Sequence, residues 1–371
     1  MTYRDRIDAP GPKKLLACDG GGIRGLISLE VLARLESELR SATGSGDDFR
    51  LSHYFDYIGG TSTGAIIAAG LSLGLPVSEL QDFYLKQGKM MFDRSSVFRR
   101  LRYLYKADPL AAMLQEVFGT HTRFGSDRLE TLLMMVLRNA TTDSPWPLSN
   151  NPRAKYNDPT RPDNNLELPL WQLVRASTAA PVYFPPESIR VGEHDFLFVD
   201  GGVTVYNNPA FQLFLMATLD AYKLCWTAGE DEMLVVSVGT GTAPKADDHL
   251  RPGDMNLLFN ASSVPAALML AALTEQDLLC RVLGRCRHGG PIDREIGDLI
   301  TGPGVLDRRL FSYVRYNIEL TREALSEHGL EHVTPEDVQR LDSVDHLDEL
   351  RAVGRALAGQ VRPAEHFRGF L

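Results

Sequence analysis

The 371-residue sequence has no run approaching the length of a membrane span. Its most apolar long stretch, Ala266–Leu283, is interrupted by Thr274, Glu275, Gln276 and Asp277. The leading segment MTYRDRIDAPGPKK has no apolar core, so no secretory signal is expected there. The four cysteines, Cys18, Cys225, Cys280 and Cys286, form no CxxC pair, and a reduced, cytoplasmic protein is the expectation. Cys18, inside an apolar strand pattern, reads as a small core residue. A net charge of −9 lacks the cation excess of a dedicated nucleic-acid binder, so no DNA or RNA partner is expected. There is no internal repeat, no low-complexity block, and no call for a metal or cofactor. What is present is 44% hydrophobic and 23% charged residues, enough for an ordered core in one large or two smaller α/β units.

One grammatical unit recurs four times: apolar strand, glycine turn, helix. Lys14–Cys18 precedes the first turn and an amphipathic helix of about Leu26–Leu39 follows it. YFDYIGG (Tyr54–Gly60), FLFVDGG (Phe196–Gly202) and MLVVSVGTG (Met233–Gly241) repeat the scheme. That pattern predicts a mostly parallel sheet with helices on its faces. Thr141–Leu168 is Pro- and Asn-rich without periodicity, and reads as a surface segment or a substrate-facing rim. LETLLMMVLRNA, before it, fits strand and helix equally. The tail from about Thr334 to Gly359 reads helical, opened by TPED.

The stretch LLACDGGGIRGLISLEVLARL supports two chemistries. Gly20, Gly22 and Gly25 fit G-x-G-x-x-G, a dinucleotide-binding turn. Read instead as Asp19 to Gly25, DGGGIRG, the same residues offer bare backbone amides to a transient oxyanion on an ester carbon. The dinucleotide reading needs an acid at the end of the second strand to hold a ribose. Here that strand runs into GGTSTG, with Asp47 and Asp48 left behind in a polar loop. A dinucleotide oxidoreductase is therefore the weaker reading.

Gly60-Thr61-Ser62-Thr63-Gly64 matches G-x-S-x-G, in which a strained serine stands between strand and helix and the flanking Gly60 and Gly64 avoid collisions across the turn. The plainer alternative is a helix-capping serine. A reactive serine needs a base. None of the nine histidines (His53, His121, His194, His249, His288, His328, His332, His346, His366) follows an apolar strand. Asp200 does: it closes FLFV and opens DGG. Asp19, Ser62 and Asp200 each stand just past a strand end, where the side chains of a parallel sheet converge on one crevice. A Ser62–Asp200 dyad without histidine is one reading; Asp200 as a turn former is another. A histidine-assisted α/β-hydrolase is the alternative enzyme.

DGGGIRG, GTSTG and DGG, in that order, resemble the signatures of the patatin-like phospholipases, a family of lipid acyl hydrolases. RASTAAPVYFPP (Arg175–Pro186), DGGVTVYNNPA (Asp200–Ala210) and VVSVGTGT (Val235–Thr242) extend the resemblance over about Lys14–Thr242. It implies a three-layer α/β/α sandwich with a mostly parallel central sheet. Residues 1–371 would form a single catalytic domain, loop-rich at about 141–168 and with a helical extension from about 320. It implies Ser62 as nucleophile and Asp200 as general base. Gly20, Gly21 and Gly22 would supply the oxyanion hole with Arg24 beside them, bracing the loop rather than gripping a head group; Asp19 would be structural. The implied reaction is hydrolysis of membrane glycerolipid acyl esters through an acyl-enzyme, by a protein peripherally attached to the inner face of the membrane.

Some bacterial members of comparable length are activated by cyclic dinucleotides in antiphage defence. Two basic stretches fit that possibility, RSSVFRRLRYLYK (Arg94–Lys106) and RVLGRCRHGG (Arg281–Gly290). In the first, Arg99, Arg100 and Arg102 can grip phosphates while Tyr103 and Tyr105 stack bases. The plainer view is a solvated helix face or a patch for anionic lipid head groups. Ser263–Gly284 is apolar nearly all round and reads as a buried core helix rather than an interfacial one. Oligomers are compatible with the sequence, which does not set their order.

Overall fold

Runs of β-branched and aliphatic residues with no polar alternation belong in strands buried on both faces, and β1 (Lys13–Cys18), β2 (Tyr57–Thr61) and β7 (Met233–Val238) occupy such positions. The computed structural model describes residues 2–91, 104–105, 107–244, 251, 257–302 and 304–371. Around those three strands lie β3 (Leu132–Asn139), β4 (Ser144–Ser149), β5 (Glu187–Val191), β6 (His194–Asp200), β8 (Arg285–His288) and β9 (Ser312–Tyr316). All nine make one sheet in the order β5-β6-β3-β2-β1-β7-β9-β8, with β4 also paired to β3. Pairing is parallel from β3 through β8 and antiparallel where β4, β5 and β6 join.

Two adjacent glycines in β2 show what covers each face. A Cβ on Gly59 would press on Leu213, in the helix Ala210–Thr218, whereas one on Gly60 would collide with the backbone of Gly64, in the helix Thr63–Ser72. Successive strand residues point to opposite faces, so these helices lie on opposite sides. On the Thr63–Ser72 side pack α1 (Gly25–Ala42), α2 (Thr63–Ser72), α3 (Val77–Met91) and α4 (Leu170–Ser177), with α7 (Leu347–Ala358) laid over α1. On the other side pack α5 (Ala210–Thr218) and α6 (Leu257–Leu283). The result is the expected α/β/α sandwich with a mostly parallel sheet.

Four local expectations change. LETLLMMVLRNA supplies β3, at the heart of the sheet. The loop-rich segment 141–168 contains β4, an edge strand whose Pro145 and Pro147 lack the N–H that a central strand must donate, which is why its pattern reads as loop. The C-terminal helix is two helices, Pro335–Gln339 and α7. The break between them is in use: Leu341 O accepts from Ile23 N–H at 2.9 Å, and a Cβ on Gly22 would strike the same carbonyl. α6 also departs from a buried core helix. Its C-terminal part packs on β8 and β9, with Cys280 fully buried, but Val264 and Leu268 near its start are 47% and 65% exposed.

A buried ion pair ties the first turn to the far side of the sheet. Asp19, at the end of β1, accepts two bonds from Arg315 of β9, Nη1 to Oδ1 at 2.9 Å and Nη2 to Oδ2 at 2.5 Å. Arg315 Nη1 also donates to Ser237 Oγ on β7 at 2.7 Å. Burial alone would depress the Arg315 pKa, but the attraction of Asp19 outweighs it and leaves it raised. Asp19 thus has the structural role expected of it. Removing one partner strands a buried charge, so Arg315→Leu should cost about 3–5 kcal/mol in urea unfolding. The double variant Asp19→Asn/Arg315→Leu should recover part of that loss.

Candidate active site

Ser62 follows β2 and precedes α2, at φ 54° and ψ −123°. That left-handed backbone is strained for a non-glycine residue by about 1–3 kcal/mol. It persists because its neighbours leave no alternative. A Cβ on Gly60 would clash with Gly64 O, and one on Gly64 would clash with Cys18 O. The Ser62 N–H donates to Ser177 Oγ at 3.0 Å, and the Ser177 hydroxyl donates to Val136 O at 2.7 Å. The turn is therefore pinned to both α4 and β3.

Asp200 reaches this serine by a route different from the expected one. β6 runs antiparallel to β3, so Asp200 does not sit beside Ser62 on a parallel neighbour. Residues 134–136 of β3 pair with both β2 and β4, and residues 137–139 pair with both β4 and β6. A strand has two edges; β2 and β6 must share one. They meet head-on there, Thr61 opposite Val136 and Asp200 opposite Leu137. The Ser62 hydroxyl consequently donates to Asp200 Oδ2 at 2.6 Å, while Gly202 N–H donates to Oδ1 at 2.6 Å. Burial pushes the Asp200 carboxyl up to about 6, against the pull of those two hydrogen bonds and of the Arg175 charge.

The glycine turn lies alongside. Gly20 is packed so closely that a Cβ would strike Asn207 Oδ1 and lie 3.2 Å from the Ser62 Cβ. Its amide donates to Asn207 O at 3.1 Å, which corrects the expectation that Gly20 offers a free N–H. Among the described residues the amides of Gly21 and Gly22 have no acceptor. Gly22 needs its positive φ of 60°, and Gly25 packs on Thr63 and Tyr84 at the start of α1. Arg24 braces the loop: Nε donates to Gly21 O at 3.4 Å and Nη1 to Gln339 O at 3.2 Å, and burial lowers its pKa to about 10.

Gly20, Gly21, Gly22, Arg24, Ser62 and Asp200 all line one mainly apolar cavity of about 300 Å3, and no histidine is among its lining residues. At its rim stands Val182, β-branched, 66% exposed and at φ 73°. Arg99, Arg100, Arg102 and Tyr103 lie outside the described residues. Tyr105 is buried against Tyr183 and Phe184, its hydroxyl donating to Asp342 at 2.7 Å, which leaves it unlike an open stacking platform. Sequence reasoning assigned no role to Ser177, Asn207 or Arg315, although Ser177 and Asn207 lie inside RASTAAPVYFPP and DGGVTVYNNPA.

Strand, strained serine and helix, with a carboxylate on the hydroxyl, reproduce the strand–turn–helix setting of a G-x-S-x-G motif in an α/β fold. The family described as patatin-like phospholipase matches residues 16–214, more than half of the chain. The chain belongs to that family. It is similar to an intracellular phospholipase A2 of Caenorhabditis elegans, 34% identical over 66% of this chain and 21% of that protein. A cGAMP-activated phospholipase of Vibrio cholerae is 33% identical over 53% and 56% of the two chains. Patatin-17 of Solanum cardiophyllum is 31% identical over 63% and 61%. The chain thus spans less than two thirds of each of these relatives.

The raised Asp200 pKa is a stability statement. Relative to an unfolded carboxyl near 3.8, its favourable contribution is complete below that value and is lost as pH rises through about 6. Above pH 6 the buried carboxylate is a burden of about 3 kcal/mol at most. Asp200→Asn should therefore melt at a higher temperature than wild type at pH 8, with the gap closing towards pH 4.

Proposed function

We propose that the protein hydrolyses acyl esters of membrane glycerolipids, with Ser62 as nucleophile and Asp200 as its base. The observation that carries this reading is the 2.6 Å hydrogen bond from Ser62 to Asp200 at the foot of an apolar cavity. Family membership and the phospholipase relatives support it. As Ser62 Oγ attacks the ester carbonyl, its proton passes to Asp200 Oδ2 and a C–O bond forms. The carbonyl oxygen becomes an anion, for which the free amides of Gly21 and Gly22 are the donors in reach of the cavity. Collapse breaks the bond to the alcohol or lysolipid, which takes the proton from Asp200. Water then attacks the acyl-enzyme, its proton moving to Asp200 and on to Ser62 Oγ as the free acid leaves.

Ser62→Ala and Asp200→Asn should each lower kcat by about 10³-fold or more on a soluble ester. Because the base must be ionised, activity should rise with pH through a midpoint near 6, the value to which burial moves Asp200. Wild-type activity retained in Ser62→Ala would overturn the mechanism.

A lipid surface is the substrate phase that fits the mouth of the cavity. Val182 and Val203 line it and are exposed, and Leu268 stands beside the lining residue Met269. Exposed apolar groups gathered at a pocket mouth are a docking signal. Val182→Asp and Leu268→Asp should weaken sedimentation with phospholipid vesicles and slow hydrolysis of vesicle lipid, while leaving turnover of a soluble short-chain ester within about twofold. Activation by a cyclic dinucleotide is a second reading. It is supported by the similarity to the cGAMP-activated phospholipase.

A further inference from the structure

Asn207 stands in the loop between the short turn Gly201–Val203 and α5, and backbone contacts hold it there. Its carbonyl accepts the Gly20 N–H at 3.1 Å, and the carbonyl of Tyr206 before it accepts the Thr61 hydroxyl at 2.6 Å. The side chain is wedged against both members of the Ser62–Asp200 hydrogen bond. A Cβ on Gly20 would strike Asn207 Oδ1 and lie 3.2 Å from Ser62 Cβ. A Cβ on Gly202 would lie 2.9 Å from Asn207 Oδ1 and 3.0 Å from Asp200 Oδ1. The carboxamide is also free. Asn207 is 9% exposed and lines the cavity that holds Ser62. Among the described residues neither polar atom of its side chain has a hydrogen-bond partner, and neither is sealed off. Its neighbour differs: Asn208 Oδ1 accepts from Ala210 N–H at 3.1 Å and from Ser237 Oγ at 3.2 Å. Other polar side chains around the cavity are taken too, Thr63 by Tyr84 and the Thr178 hydroxyl by Arg175 O at 3.0 Å.

We propose that the Asn207 side chain holds the water that attacks the acyl-enzyme. This rests on the hydrolase reading above and adds to it the place of the acyl acceptor. A water that attacks the ester carbon must touch Asp200, which takes its proton, and must lie beside Ser62, which carries the acyl group. Asn207 adjoins both. A carboxamide supplies an acceptor as well as donors. One water proton passes to Asp200 and the other is accepted by the Asn207 carboxamide oxygen, which turns a lone pair towards the carbonyl carbon. The new C–O bond forms and the bond from Ser62 Oγ to the acyl group breaks. Asp200 returns its proton to Oγ, and the second water proton stays on the acid. Contact with Asp200 favours this role over a place in the oxyanion hole, because a donor to the oxyanion has no need of the base.

The soluble ester p-nitrophenyl butyrate separates the two halves of the reaction, because its leaving group departs without a proton. With it, kcat/KM reports formation of the acyl-enzyme, and kcat reports hydrolysis of the acyl-enzyme once that step is slower. Asn207→Ala keeps the backbone carbonyl that holds Gly20. At pH 8 it should lower kcat about tenfold or more and leave kcat/KM within about threefold. Methanol as a competing acceptor gives the deciding measurement. It has one O–H proton, for Asp200, and none that needs Asn207. The ratio of methyl butyrate to butyrate should therefore rise at least about threefold in Asn207→Ala, and this ratio does not depend on how much of the protein is folded. An unchanged ratio overturns the proposal: equal losses in both acceptors mark an oxyanion donor or a side chain of structural use alone. Ser62→Ala is run alongside. Turnover surviving there overturns the hydrolase reading itself, and this proposal with it.

Discussion

One edge of β3 is shared by two strands running in opposite directions, and the geometry of the site depends on where they meet. β2 occupies that edge as far as Val136 and β6 takes it over at Leu137. Ser62 and Asp200 are 138 positions apart in sequence, yet they face each other because both strands end at the same point of one backbone ladder. Ladder hydrogen bonds fix positions along a strand in steps of two residues for a given face. A hydroxyl and a carboxylate set this way need no flexible side chain to find each other.

Crowding of backbone on backbone is the second constraint. Gly60, Gly64 and Gly201 each lie against a main-chain carbonyl, that of Gly64, Cys18 and Val136 respectively, so any side chain would separate β1, β2, β3 and α2. The strain at Ser62 is held in place by this packing and by Ser177. Beneath Ser62 and Asp200 the interior also sets electrostatics. Burial raises the pKa of both Asp200 and Asp19, but Asp19 is paired with a two-pronged arginine, whereas Asp200 holds the Ser62 hydroxyl and the Gly202 amide. Two aspartates at two strand ends are thereby set apart by their partners, one bonded to a hydroxyl and an amide and one locked in an ion pair.

Much of this was legible in the sequence because the carriers are local. Apolar runs buried on both faces announce β1, β2 and β7, and the glycine turns mark where each strand gives way to a helix. Ser62 and Asp200 stood out because each closes such a strand. β4 was hidden because Pro145 and Pro147 suit only an edge, a property of the sheet rather than of the segment. The antiparallel approach of β6 was hidden too, since an apolar strand pattern carries no direction. Gly20 looked like an amide donor, but its N–H is taken by Asn207, 187 residues on, and no window of sequence contains both. Arg315 gave no signal for the same reason. Its partner lies 296 positions earlier.

The glycine turn near residue 20 is completed by residues roughly 300 positions further on. Asp19 waits for Arg315, Arg24 for Gln339 and Ile23 for Leu341. A ribosome that has made the serine elbow and even Asp200 has still not supplied the residues that fix this loop. Synthesis runs in one direction at about 5–20 residues per second, so the loop's anchors arrive several seconds after Asp200. The fold thus carries its own timing: the turn at residue 20 is braced only after Arg315, Gln339 and Leu341 have been made.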